Sequence, residues 1–64
     1  MIIDIINLRK GMIAELDTVN VYTQLMEECK DAKVKELFAD IIKEELVHVG
    51  EFQRGMMLLG VMGL

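Results

Sequence analysis

The chain has 64 residues, carries a formal net charge of -4 and is 53% hydrophobic, with no proline or tryptophan. A chain this short rarely buries enough apolar surface to hold a fold alone, so a disulfide, a metal or self-association must complete the core. Its one cysteine, Cys29, cannot form an internal disulfide, which leaves metal binding and self-association. The negative charge argues against nucleic acid or anionic lipid as a partner and favours cations.

Neither apolar end of the chain has the pattern of a membrane segment. The longest apolar stretch, Met56 to Leu64, spans nine residues and is broken by Gly60 and Gly63. A membrane-spanning helix needs roughly 20 apolar residues. The first residues contain Asp4 and no basic residue ahead of their apolar part, unlike a secretory signal. We therefore predict a cytoplasmic protein with no membrane partner.

Apolar residues recur every three or four positions from Asp4 to Cys29, which is the pattern of an amphipathic helix. This first stripe consists of Ile5, Leu8, Met12, Val19, Tyr22, Met26 and Cys29. Gly11 is its weak point because glycine has a low helix propensity. We predict a first helix over about residues 4–29.

A second stripe begins at Ala32 and continues to about Arg54, which predicts a second helix over residues 32–54. It consists of Val34, Phe38, Ile41 and Phe52, and most of the charged residues lie off it. Asp31 can accept backbone hydrogen bonds at the start of this helix, and its charge suits the helix dipole there.

The break between the two helices contains no glycine or proline, so one continuous helix is an alternative to a hairpin. After Arg54, Gly55 and two further glycines make a longer helix unfavourable, and we expect the tail 55–64 to be a short third helix or an unfolded end. The predicted fold is all-α, with residues 1–64 forming a single domain. It is an antiparallel two-helix hairpin that dimerises into a four-helix bundle.

Three ionisable residues interrupt the stripes where an apolar residue is expected. Glu15 lies in the first stripe, and Glu45 and His48 lie in the second. A buried carboxylate usually takes up a proton, pairs with a positive charge or binds a metal. Since no lysine or arginine lies in the central part of either stripe, the pattern points to a bound cation.

A hairpin folded at Lys30 places Glu15 and Glu45 at the same height, because each lies 15 residues from the turn. His48 is one helical turn beyond Glu45 on the same face, so we expect the three side chains to converge. A di-iron centre in a four-helix bundle uses a Glu from each of two helices and a Glu-x-x-His from each of the other two. Two copies of this chain supply that set, which predicts a metal site in a homodimer or larger homo-oligomer.

With this arrangement the chain resembles the ferritin-like superfamily, and especially its two-helix members, the encapsulated ferritins, with rubrerythrin as a four-helix relative. The resemblance covers about residues 12–56 and rests on Glu15, on Tyr22 seven residues later, and on the segment Glu45-Leu46-Val47-His48. It implies that Glu45 bridges two irons, and that Glu15 and His48 complete the coordination of each. It also implies that dioxygen or peroxide oxidises ferrous iron, as in a ferroxidase for iron storage or detoxification.

The family also implies an encapsulin shell as host, and hence a protein nanocompartment. Tyr22 would lie near the centre, beside the ligands. Members carry acidic residues next to the first-helix ligand that attract iron; here that neighbour is Ala14, and only Asp17 could take this role. Glu51 and Glu44 are further candidate ligands, or else solvated flanks of the site. Manganese and zinc are alternatives to iron, since carboxylate and imidazole ligands serve all three.

Other interpretations of the same residues stay open. Glu15, Glu45 and His48 could form a buried polar layer that sets the register of a non-catalytic helical assembly or cargo module. Tyr22 could be a core residue. A third functional alternative is a rubrerythrin-like peroxide reductase, which would need an electron-donor domain that is not expected within these residues.

Overall fold

A computed structural model describes residues 1–60, and in that range the protein is all-helical, as predicted, with no strand. Helix α1 spans Ile2–Glu28 and helix α2 spans Ala32–Leu58. The two pack side by side and antiparallel in a rod of 46 × 16 × 14 Å. The alternative of one continuous helix is therefore wrong. Helix α1 begins two residues before its predicted start at Asp4.

Asp31 is the N-cap of helix α2. Its Oδ1 accepts hydrogen bonds from the backbone N–H of Lys33 at 2.8 Å and of Val34 at 3.1 Å. Those two amide groups have no partner inside the helix, so the cap satisfies them. Helix α1 ends at Glu28, and the next residue, Cys29, has an extended backbone with φ -68° and ψ 144° that turns the chain away from the helix. The chain thus reverses between the helices without glycine or proline.

Helix α2 is longer than its apolar stripe predicts, because it continues past Arg54 to Leu58. Gly55 lies inside the helix and packs against Leu8 of α1, where an added Cβ would come within 3.1 Å of the leucine side chain. This packing offsets the low helix propensity of glycine, about 1 kcal/mol relative to alanine. The helix stops before Gly60, whose φ of 77° is the left-handed conformation that ends many helices. Residues 55–58 of the expected tail therefore belong to α2, and residues 61–64 lie outside the described part of the chain.

Two helices alone do not enclose a core, and among the described residues only Met56 is buried. Most stripe residues lie half-buried between the helices, and Val34 in the first turn of α2 is exposed. Large apolar side chains also remain exposed on the outer faces, among them Ile13, Val21, Leu37, Leu46, Val47 and Leu58. Neither of the two described helices is long and apolar enough to span a membrane. A single hairpin therefore leaves much of its apolar surface exposed.

Candidate metal centre

Glu15, Glu45 and His48 come together on one face of the hairpin. Nδ1 of His48 lies 3.7 Å from Oε2 of Glu15 across the helix interface and 3.8 Å from Oε2 of Glu45 on its own helix. One potential ligand atom from each residue lies within 4.8 Å of the other two. Metal bonds of about 2.0–2.2 Å separate two donors on one ion by up to about 4.4 Å. Small side-chain movements would therefore bring all three onto a common ion.

The three side chains differ in how far they face solvent. Glu15 and Glu45 are 24% and 21% exposed, whereas His48 is 48% exposed. The carboxylates thus lie largely between the two helices, and the imidazole lies at the rim of the cluster. About half of the His48 ring is open to an ion or to a second chain.

The carboxylate of Glu15 carries an unsatisfied oxygen. Its Oε2 is fully buried and has no hydrogen-bond partner. Burial removes water from this oxygen, and no hydrogen bond replaces the lost hydration. This loss is energetically costly for a carboxylate. Within residues 1–60, His48 is the only basic group within 4.0 Å of either Glu15 or Glu45, and no lysine or arginine comes so close. Two carboxylates and an imidazole with no counter-charge form a donor set that fits a divalent cation.

An open groove of about 470 Å³ lies beside this cluster on the same face. Its lining residues are Leu8, Glu15, His48, Glu51 and Phe52. Glu51 follows His48 by one helical turn, so its carboxylate stands at the groove next to the imidazole. Of the weaker candidate ligands, Glu51 is thus the one that the structure brings to the groove, although it is not among the three converging residues.

The other candidate residues lie away from the cluster. Glu44 and Asp17 are exposed and do not belong to the converging group. Tyr22 is two helical turns from Glu15 toward the hairpin end, or about 10 Å along the axis at about 1.5 Å per residue. Its ring packs against Phe38, with centroids 6.1 Å apart and planes tilted by 56°. Tyr22 therefore packs between the helices, and its role beside the ligands stays a prediction.

Gly11 and Phe52 form a wall of the site that the sequence patterns did not predict. The Phe52 ring lies over the backbone of α1 at Gly11, where an added Cβ would stand 2.6 Å from Cζ of the ring. Phe52 then lines the groove with Glu15 and His48. The only sequence signal for this contact is a glycine inside an otherwise regular helical stripe, which can mark a close approach.

Comparison with known proteins finds a similarity to a ferritin-like–encapsulin shell fusion protein of Pyrococcus furiosus, with 44% identity over 45 residues. The match covers 70% of this chain but only 13% of that protein, which is much longer. No family model matches the chain. No solved structure matches it either. The similarity is therefore to a small part of a protein whose name includes both a ferritin-like and a shell component.

Proposed function

We propose that the chain is a ferroxidase-type protein that binds iron at a site shared by two copies and oxidises Fe(II) to Fe(III). The cluster of Glu15, Glu45 and His48, with its buried and unpartnered Glu15 oxygen, is the observation that carries this proposal. Carboxylate oxygens and an imidazole suit iron, manganese and zinc alike. The similarity to a protein named ferritin-like favours iron among the three.

One hairpin offers two carboxylates and one imidazole, half of the ligand set of a di-iron centre in a four-helix bundle. A second copy placed against the face that carries His48 would supply the other half. Leu37 precedes His48 by eleven residues, about three helical turns, so it lies on the same face. It is 58% exposed, and a second hairpin would cover it. The same contact would thus bury apolar surface and complete the site.

In the proposed dimer, Glu15, Glu45 and His48 of each copy would together hold the iron. Iron is the substrate, and each Fe(II) gives up one electron. Two electrons and two protons convert one dioxygen to hydrogen peroxide, or one hydrogen peroxide to two waters. The anionic carboxylates favour the more highly charged Fe(III) product, which makes the oxidation easier.

Anaerobic addition of Fe(II) to the metal-free protein, followed by air, tests this function. We expect about one iron per chain, because a di-iron site would be shared by two chains. Exposure to air should produce the near-ultraviolet absorption of oxo-bridged ferric iron. Asp40→Ala is a matched control for Glu15→Ala, since Asp40 is an exposed acid in a helix but lies outside the cluster. A wild-type protein that takes up no iron and stays colourless contradicts the proposal.

The exposed apolar side chains also favour a second candidate function, a non-catalytic helical assembly or cargo module. Glu45→Ala separates the two functions. In a ferroxidase, iron binding and oxidation vanish while the metal-free dimer persists or gains stability, because a partly buried charge is removed. In an assembly module, the same change alters subunit association in the absence of any metal, as native mass measurement would show.

A protein shell is the host that we propose for this ferroxidase, so that it would act inside a nanocompartment. This part of the proposal depends on the name of the Pyrococcus furiosus protein, which joins a ferritin-like component to an encapsulin shell. Co-expression with an encapsulin shell protein, followed by sedimentation of intact shells, tests it. Absence of the chain from the purified shells would contradict it.

A further inference from the structure

Gly11 and Phe52 occupy the layer next to the candidate ligands. Gly11 is four residues before Glu15 on α1, and Phe52 is four residues after His48 on α2. Residues four apart are neighbours on one face of a helix, so each member of this pair adjoins a ligand. An added Cβ at Gly11 would lie 2.6 Å from Cζ and 3.0 Å from Cδ1 of Phe52. The ring can occupy its position only because residue 11 has no side chain.

The groove has space for an alternative position of the Phe52 ring. Phe52 already forms one wall of this open space of about 470 Å³, with Glu15 and His48 on its other sides. The atoms that a new Cβ would meet belong to the far end of the phenylalanine side chain, not to backbone. Such a side chain moves by rotation about its χ angles, and the two helices need not separate. A ring displaced from Gly11 would therefore turn into the groove beside His48.

We propose that Gly11 is a positioning residue that keeps this groove open by holding the Phe52 ring against α1, so that Glu15 and His48 stay free to bind a divalent cation. This inference rests on the proposed metal-binding function. A methyl group at position 11 turns the Phe52 ring into the groove, where it crowds the His48 imidazole. The exposed carboxylate of Glu51 stands along the same groove, where its charge attracts a cation.

Gly11→Ala tests this proposal, with Gly50→Ala as its matched control. Gly50 also lies inside a helix, but an added Cβ there meets nothing within 4 Å. Gly50→Ala introduces a better helix former at a site with free space, so it should not lower the melting temperature. Gly11→Ala brings the same gain in helix propensity but loses the packing of the Phe52 ring against α1. Co(II), followed by its visible absorption, is the probe. We expect Gly11→Ala to lose about tenfold or more in Co(II) affinity, the range seen when residues that orient metal ligands are changed. Its uptake should also be slower, and Gly50→Ala should match the wild type.

A second change separates blocking of the groove from damage to the helix. The double variant Gly11→Ala/Phe52→Leu has a smaller side chain at position 52 and should regain wild-type Co(II) affinity and uptake rate. Phe52→Trp leaves α1 unchanged and enlarges the ring beside the groove, so it should also slow uptake. This variant keeps the test decisive if Gly11→Ala does not fold. Circular dichroism and native mass measurement establish that each variant keeps its helices and its association state.

Three results would overturn the inference. In the first, Gly11→Ala binds Co(II) with the affinity and rate of the wild type. In the second, Gly11→Ala and Gly50→Ala lose binding equally, which would indicate a backbone effect. In the third, the Phe52→Leu rescue fails in a folded protein. If the wild type itself binds neither Co(II) nor Fe(II), both the proposed function and this inference are contradicted. Any of the first three results contradicts this inference alone and leaves the proposed function unaffected.

Discussion

Nδ1 of His48 on α2 lies 3.7 Å from Oε2 of Glu15 on α1, and this oxygen is fully buried without a hydrogen-bond partner. The pair therefore spans the interface between the two helices. Without a cation, we expect Glu15 to weaken the helix interface, because no hydrogen bond compensates the desolvation of its Oε2. With a cation, the same residues would connect the helices through ligand bonds. Metal binding and stability should therefore respond in opposite directions when Glu15 is neutralised.

Glu15→Gln replaces the buried carboxylate with a neutral side chain of nearly the same shape. We expect a loss of metal affinity of about 100-fold or more, at the upper end of the effects known for groups around a metal site. The metal-free variant should be as stable as the wild type or more stable, because a buried charge is removed. Calorimetric titration with Co(II) measures the affinity, and urea unfolding in the presence of EDTA measures the stability. Asp40→Asn, a change at an exposed acid of α2 outside the cluster, should alter neither quantity.

Removal of the metal should lower the melting temperature of the wild type. A ligand that binds only the folded protein at 100 times its dissociation constant adds about 2.7 kcal/mol to the free energy of unfolding. For a domain of this size, this corresponds to a shift of about 10 °C or more. Thermal melts with added Co(II), and again after EDTA, measure the shift. His48→Ala should show no response to metal, and a variant that is stabilised as strongly as the wild type would contradict the role of His48.

Leu37 and Val47 provide a matched test of which face meets the second copy. They are 58% and 60% exposed, respectively, so a glutamate is equally tolerated at either position of an isolated hairpin. Leu37 lies on the face of His48, whereas Val47 is rotated from His48 by about 100° around the helix. Leu37→Glu should therefore prevent formation of the proposed dimer, and Val47→Glu should permit it. Sedimentation equilibrium of the metal-free proteins distinguishes the two, and an intact Leu37→Glu dimer would place the interface elsewhere.

Asp31→Ala should destabilise the hairpin by about 1 kcal/mol, the usual effect of losing a helix N-cap. Its Oδ1 accepts two backbone hydrogen bonds, from Lys33 and Val34, and alanine accepts neither. Asp31→Ser retains an acceptor and should recover most of the loss. Chemical unfolding at one fixed protein concentration is the measurement, since the stability of an associating chain depends on concentration. Equal stability of the alanine variant and the wild type would show that the cap contributes little to the free energy of unfolding.

The two helices and the layer of Glu15, Glu45 and His48 could be predicted because they follow from local rules. Helical periodicity assigns each residue to a face, and the rise per residue turns a count from the turn into a height. A short connection capped by Asp31 leaves little freedom in the register of the hairpin. These rules use only positions along the chain, so the sequence alone was enough to group the three residues. Whether they hold a metal stays a prediction.

Only the tertiary structure showed the packing roles of Gly55 and Gly11. Gly55 suggested the end of α2 because a glycine lowers helix propensity locally, but Leu8 of the other helix packs against it and the helix continues to Leu58. Gly11 looked like a weak point of α1, yet it provides the space for the Phe52 ring beside the groove. In both cases the deciding contact comes from the opposite helix. By itself, then, the sequence determined the helices and the grouping of the charged residues, whereas packing between the helices determined where α2 ends and how the groove beside those residues is shaped.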